Sequence, residues 1–271
     1  MVSFLNHPLE GPDPGVFSTE PLATADIQAL DRLAVAAWPA TYNEDHNGWL
    51  FRFANGVSRR ANSVAPFPLT SGAVSVDAQI HAAEAFYKVH GLPPRLQISP
   101  AAEPAGLDRI LAGRGYEREA AVTIQIAPAP VIAGHAAKPD AVSIKTEASD
   151  DWWDLYREGY ARDARAIVAR AREQAAFATL PAPDGQPLAI GLGVMAGGWL
   201  GIFGMQTRPE HRNRGFGRQL IGALATWAVD QGAIGLYLQV EDSNAAARRL
   251  YQRLGFQGVY GYHYRTLWTK T

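Results

Sequence analysis

Two glycines spaced two apart, Gly215 and Gly217, stand just ahead of a run in which Leu220, Ala223, Leu224, Trp227 and Ala228 recur at helical spacing. A helix opening there leaves its first amides without intrahelical partners, at the positive end of the helix dipole. Glycine adds a backbone that a ligand can approach without meeting a Cβ. The same stretch, Thr207-Arg-Pro-Glu-His-Arg-Asn-Arg-Gly-Phe-Gly-Arg218, contributes Arg208, His211, Arg212, Arg214 and Arg218. Exposed amides and clustered cations suit a phosphate. The alternative use of the same residues is a basic helix start that caps itself and salt-bridges on the surface.

Two common phosphate loops are excluded by missing parts. A Walker A loop ends in Gly-Lys-Ser/Thr, whereas Gly217 is followed by Arg218-Gln219; the dinucleotide fingerprint needs a third glycine where this chain has Leu220.

The elements around the loop form a consistent series. Val142–Thr146 reads as a strand, helical stretches cross 151–172, and a strand covers Ala175–Leu180. Leu188 to Met205 runs 18 residues without a charge, but six are glycine and Gly197-Gly198 falls mid-way, so a β-hairpin of Leu188–Met195 and Trp199–Thr207 is expected rather than a membrane span. The helix after Gly217 leads to a strand Leu236–Val240, a helix 244–253 with Ala247, Leu250, Tyr251 and Leu254 on one face and Gly255 as its stop, and a closing strand Val259–Leu267.

Arg212-Asn-Arg-Gly-Phe-Gly217 resembles the Q/R-x-x-G-x-G/A signature of the GNAT acetyltransferase superfamily, and Asp242-Ser-Asn-Ala-Ala-Ala-Arg-Arg-Leu-Tyr-Gln-Arg-Leu-Gly-Phe256 is similar to its fifth-strand exit and following helix. The resemblance covers about 130 residues, with two motifs in order. It implies acetyl-CoA as acyl donor, with no metal. It implies that the amides of Asn213, Arg214, Gly215, Phe216, Gly217 and Arg218, with Arg212, hold the CoA pyrophosphate. Main-chain groups of Met205, Gln206 and Thr207 would pair with the pantetheine arm like an added strand, in a gap where the fourth strand splays from the fifth, and Asn244 would hydrogen-bond the same arm. Tyr251 would protonate the leaving thiolate, a proton a phenol keeps at neutral pH. An amide near Met205 would stabilise the oxyanion. The alternative for Tyr251 is an ordinary core aromatic.

The base is where the chain departs from its relatives. Where ribosomal-protein alanine acetyltransferases place a Glu on the fifth strand, this chain has Gln239, and the fourth strand offers Gly201 and Gly204. Glu241, on the same strand face as Gln239, is one candidate. A water relay is another, and Glu241 as a solvated strand-end charge remains open.

The first half repeats the outline without the apparatus. A helix over 77–90 precedes Arg95-Leu-Gln-Ile98, Leu107–Tyr116 parallels Leu250–Phe256, and a strand Ala121–Ile126 parallels the closing strand. Between a strand at Asn62–Val64 and that helix there is a single glycine and no basic residue; Leu111 stands opposite Tyr251, and Ala102-Glu-Pro104 opposite Asn244. The expected architecture is therefore α/β: two GNAT-like domains, each a mixed, mostly antiparallel twisted sheet flanked by helices, with splayed central strands in the C-terminal one. A degenerate domain over 1–127, a Pro/Ala/Gly linker over 128–140 and a catalytic domain over 141–271 are expected. Two unrelated α/β halves are the alternative. Within the first half, Trp49–Ser63 mixes aromatics with Arg52, Arg59, Arg60 and Asn62; it suits either a ligand face or a half-buried sheet with a solvated side. Trp152, Trp153 and Tyr156 suit either an acceptor site or core.

Composition narrows the function. The 271 residues are 47% hydrophobic and 19% charged, enough for packed cores. A net charge of −1 argues against a general nucleic-acid binder, and the absence of cysteine excludes thiolate chemistry and a covalent acyl-cysteine. The first Lys or Arg is Arg32, so no secretory signal is read at the start, no membrane association is expected, and a cytoplasmic protein is. The reading is an acetyl-CoA-dependent N-acetyltransferase acting on a primary amine, of a small molecule rather than a peptide or protein N-terminus, by direct attack in a ternary complex. A non-catalytic acetyl-CoA binder is the alternative from another class.

Overall fold

The computed structural model describes residues 9–18, 20–70, 74–135, 141–160 and 163–268. Its framework is one eight-stranded sheet that runs through both halves of the chain. The strands are β4 (Arg95–Ile98), β5 (Glu117–Pro128), β6 (Ser143–Lys145), β7 (Ala175–Pro181), β8 (Pro187–Ala196), β9 (Trp199–Thr207), β10 (Gly235–Glu241) and β11 (Gln257–Thr266), in the order β4-β11-β5-β10-β9-β8-β7-β6. Every neighbouring pair is antiparallel except β9 with β10. A small sheet, β1 (Tyr42–His46), β2 (Trp49–Phe53) and β3 (Ala65–Pro66), adjoins it through a bridge from Val64 to Leu96.

The expectation of one sheet in each half meets a different arrangement. β5, from the first half, lies between β10 and β11 of the second, and β11 lies between β4 and β5 of the first. The exchange is reciprocal: each half's closing strand pairs with the other half's preceding strand, and the two closing strands pair with each other. Seven residues of β10 pair with β5, from Gly235↔Pro128 to Glu241↔Val122. An edge that would otherwise expose its N–H and C=O groups is thereby covered.

Helices close both faces. On one lie α4 (Ala129–Ala133), α7 (Phe216–Asp230) and α8 (Ala245–Leu254), over a core that includes Leu220, Leu224, Leu236 and Leu238. On the other lie α1 (Thr24–Ala37), α5 (Asp150–Gly159) and α6 (Arg165–Val168), over Leu33, Trp152, Leu192, Phe203 and Tyr237. A third core, with Trp49, Phe51, Ile80, Leu96 and Leu111, lies under α2 (Val76–Val89) and α3 (Leu107–Gly113).

Two local expectations change and one holds. The expected linker opens as α4, because Ala129 and Ile132 bury against α7; residues 136–140 lie outside the described residues. The strand expected at Asn62–Val64 is a turn as far as Ser63, held by Asn62, whose Oδ1 accepts from the amides of Ala54 (2.8 Å) and Gly56 (3.0 Å). The hairpin is as expected, with Gly197 and Gly198 at φ +52° and +76° in a turn that only glycine adopts without strain.

Candidate active site

β9 and β10 pair over four residues only, from Trp199↔Gly235 to Ile202↔Leu238. Beyond that point β9 stays bonded to β8 as far as Thr207, and β10 stays bonded to β5 as far as Glu241. The inner edges of Phe203–Thr207 and Gln239–Glu241 therefore part with their backbone groups facing a gap. A bulge sits at the start of the split: Gly204 and Met205 together oppose Gly191, between the pairs Phe203↔Leu192 and Gln206↔Ile190. Gly204 holds φ +56°, and a Cβ there would lie 3.1 Å from Tyr156, so both conformation and space call for glycine. The Met205 side chain turns to the α7 side, against Gly191.

The loop after β9 makes a 3₁₀ turn at Pro209–His211 and enters α7 through Asn213 (φ +62°) and Gly215 (φ +78°). Gln219 N donates to Gly215 O at 3.2 Å; among the described residues, the amides of Asn213, Arg214, Gly215, Phe216, Gly217 and Arg218 have no protein acceptor. Six unpaired donors at a helix N-terminus are an anion cradle. The cations divide. Arg208 is tied to Pro187 O (2.9 Å) and Glu158 (3.3 Å), and Arg212 Nε donates to Thr207 O (3.3 Å). Arg214 and Arg218 are exposed and have no protein partner among the described residues, as a ligand-facing role requires. The two glycines differ as well. A Cβ on Gly215 would meet nothing within 4 Å, so Gly215 serves conformation; one on Gly217 would lie 2.9 Å from Leu250 Cδ2, so Gly217 lets α8 pack on α7.

Tyr251 is buried on α8, its ring 5.9 Å from that of Phe256. Burial pushes its phenol pKa well up, with a further contribution from Tyr160, so it holds its proton at neutral pH. Tyr160 comes from the end of α5 on the opposite sheet face, so phenols from both faces lie within electrostatic reach of each other. Asn244 is the N-cap of α8, its Oδ1 accepting from Ala247 N at 3.1 Å, which leaves its amide nitrogen as the available donor.

Gln239 Oε1 accepts from the Tyr262 hydroxyl at 2.7 Å, while its Nε2 is buried without a partner among the described residues. Glu241 is exposed at the end of β10 and pairs with Arg59 at 2.5 Å. Arg59, Glu119, Glu241 and Asp242 border an open depression of about 390 Å³. The pairing was not legible beforehand, because the two residues are 182 apart in the chain.

The segment Trp49–Ser63 is not a half-buried sheet with a solvated side. Arg52 is 1% exposed, its charge held by Ser63 O (2.9 Å), Ser63 Oγ (2.8 Å) and Gln97 Oε1 (3.0 Å). The turn that follows carries Arg59 to Glu241 and Arg60 to Phe203, so it delivers first-half side chains to the split. The only advance signal was adjacent arginines in an aromatic stretch. Trp38 stacks on Phe203 at 5.2 Å, and the Tyr237 hydroxyl donates to Leu33 O at 3.3 Å; α1 and its following residue thus roof this face. Trp152 and Trp153 are core, with Trp152 Nε1 donating to Ala178 O at 3.2 Å; Tyr156 packs against the bulge at Gly204.

The chain resembles known proteins along most of its length. Residues 24–265 match the family described as probable histone acetyltransferase Rv0428c C-terminal. The chain is 32% identical over 250 residues to the uncharacterized N-acetyltransferase YobR of Bacillus subtilis, covering 89% of this chain and 98% of that protein. It is 28% identical over 253 residues to the probable histone acetyltransferase Rv0428c of Mycobacterium tuberculosis, covering 89% and 74%. Among solved structures, a GCN5-related N-acetyltransferase from Kribbella flavida superposes with a TM-score of 0.66 at 16% identity, covering 93% and 98%; a tandem GNAT protein from the clavulanic acid biosynthesis pathway does so at 0.61 and 15%, covering 92% and 90%. Among the described residues no helix is long and apolar enough to cross a membrane.

Proposed function

The chain belongs to the GNAT N-acetyltransferases, in the family described as probable histone acetyltransferase Rv0428c C-terminal, and is an acyltransferase; from that premise we propose that it transfers an acetyl group from acetyl-CoA to the primary amine of a small molecule, by direct attack in a ternary complex. The observation that carries this reading is the set of six unpaired amides at residues 213–218, next to the gap between β9 and β10. The donor supplies an activated thioester; the rest of the work falls to this chain's own groups.

In this reading the amides of Asn213–Arg218, with Arg214 and Arg218, bind the diphosphate. The inner edge of Met205–Thr207 takes the pantetheine arm as a strand would, and the amide nitrogen of Asn244 donates to it. The amide that the bulge re-aims near Met205 faces the developing oxyanion. Tyr251, kept protonated by burial, gives its proton to the departing sulfur. For the amine's own proton, Glu241 is engaged by Arg59, which favours a water path toward the open depression beside it. The roof of Trp38 and Arg60 over Phe203 favours a small acceptor over a folded protein's terminus.

The first half fits a degenerate copy of the second, roughly residues 1–127 beside 141–271. Leu111 fills its core where Tyr251 stands in the other half. Its role is to complete the sheet and to roof the acceptor face.

The test is titration with acetyl-CoA followed by detection of free thiol across a panel of primary amines. Binding with amine-dependent thiol release is expected. Binding without release from any amine would make the protein a non-catalytic acetyl-CoA binder, and no binding would refute the reading.

A further inference from the structure

On the sheet face opposite α7, beside the point where β9 and β10 part, Arg60 Nε and Gln239 Nε2 are both buried and, among the described residues, lack an acceptor. One group links them: the Tyr262 phenol hydrogen-bonds with the Arg60 guanidinium and donates its proton to Gln239 Oε1 at 2.7 Å. The guanidinium carbon of Arg60 lies 5.4 Å from the ring centre of Phe203 and 5.8 Å from that of Trp38. Phe203 is the first β9 residue beyond the last pair with β10. The phenols of Tyr156, Tyr160 and Tyr237 also stand within electrostatic reach of Arg60.

Three arginines share this segment, and two are accounted for. Arg52 has three acceptors and Arg59 has Glu241, whereas Arg60 has no carboxylate partner among the described residues. A cation enclosed by aromatic rings without a counter-ion is costly, and the ring faces offset only part of that cost. A buried amide nitrogen without an acceptor beside it adds a second unmet demand. An anion resolves both.

We propose that Arg60, with Gln239 and Tyr262, is the subsite for a carboxylate on the acceptor, so that the substrate class is amino acids or closely similar amino-carboxylates. The carboxylate docks on the guanidinium while the amino group reaches the gap between β9 and β10. A carboxylate suits the site better than a phosphate, since one guanidinium and one neutral amide match a single planar charge. Gln239 is then a positioning donor, and a neutral amine is rejected because it leaves both donors unmet. This inference rests on the N-acetyltransferase reading above.

Calorimetric titration of the full-length protein tests it, using L-alanine, L-phenylalanine and L-lysine, their C-terminal carboxamides, and the phosphonate analogue of alanine, each with CoA present. At least one free acid is expected to bind about 30-fold or more tightly than its carboxamide. Arg60→Met should erase that difference, while Arg60→Lys retains part of it. Equal binding of every acid and its amide by the unmodified protein, or no binding of any acid, overturns the proposal without needing a variant that folds. Tighter binding of the phosphonate overturns it in favour of a phosphate-bearing acceptor. An acetyl-CoA titration on the same sample separates the two readings: a protein that binds acetyl-CoA yet shows no acid preference sinks this proposal alone, and one that fails to bind acetyl-CoA sinks the earlier one.

Discussion

Ile202 and Leu238 are the last residues at which β9 and β10 face each other as a hydrogen-bonded pair. Everything assigned to the site follows from that point. Past it Phe203 enters the face roofed by Trp38, Gly204 turns into the bulge, and Gln239 carries an amide nitrogen unmatched among the described residues. The split persists because each strand keeps an outer partner, β8 for β9 and β5 for β10. The partner of β10 comes from the other half of the chain, so the opening depends on residues more than a hundred positions away.

That dependence predicts the behaviour of separated halves. Residues 136–271 expressed alone lose β5, which pairs with seven residues of β10 and eight of β11. The fragment should lack a cooperative melt and aggregate through its bare edges, and co-expression with residues 1–135 should restore a soluble complex. Circular dichroism melts and size-exclusion chromatography would decide it. A fragment that melts cooperatively and binds acetyl-CoA as well as the whole chain would show that the exchange is dispensable.

Gly215 separates ligand binding from folding. With φ +78° and open space around its Cβ position, Gly215→Ala should cost about 1 kcal/mol of stability through backbone strain alone. Gly215→Glu adds an anion at the amide cradle and should weaken acetyl-CoA binding by about 100-fold or more. Thermal melts and acetyl-CoA titrations of both variants check this; unimpaired binding by the Glu variant would remove the diphosphate from this loop.

Tyr251→Phe keeps the ring that packs near Phe256 and deletes the hydroxyl proposed as proton donor. Turnover should fall about 100-fold, with acetyl-CoA affinity and melting temperature nearly unchanged. Steady-state kinetics with any accepted amine reads the result, and unchanged turnover would return Tyr251 to the status of a core aromatic.

Asp31 makes stability depend on pH. Burial pushes its carboxyl up to about 6, against the opposing effects of hydrogen bonds from Ser99 and Tyr260 and of the Arg52 charge. The folded state therefore holds this proton more tightly than the unfolded state does. Its contribution is fully present below about pH 4 and is lost as pH rises through about 6. Asp31→Asn removes the titration, so the variant should gain about 3 kcal/mol relative to the parent between pH 4 and pH 7. Denaturant midpoints at the two pH values measure it, and a difference that stays constant with pH would show that Asp31 is ionised without cost.

How much could be read in advance varied with the range of the interactions. The Gly215–Gly217 helix start, the glycine hairpin and the amphipathic faces of α7 and α8 are local patterns, set by φ preferences, side-chain period and caps within a few neighbouring residues, and the chain written out carries them in full. The chain written out equally shows a single glycine and no basic residue between Val64 and the helix over 77–90. The reciprocal placement of β5 and β11, the delivery of Arg59 to Glu241, and the burial of Arg60 Nε without a partner among the described residues are set by contacts between distant segments. No periodicity encodes those, because strand pairing leaves the same alternating pattern whichever neighbour it joins. Only packing two halves into one sheet decided which cation meets a carboxylate and which, among the described residues, does not.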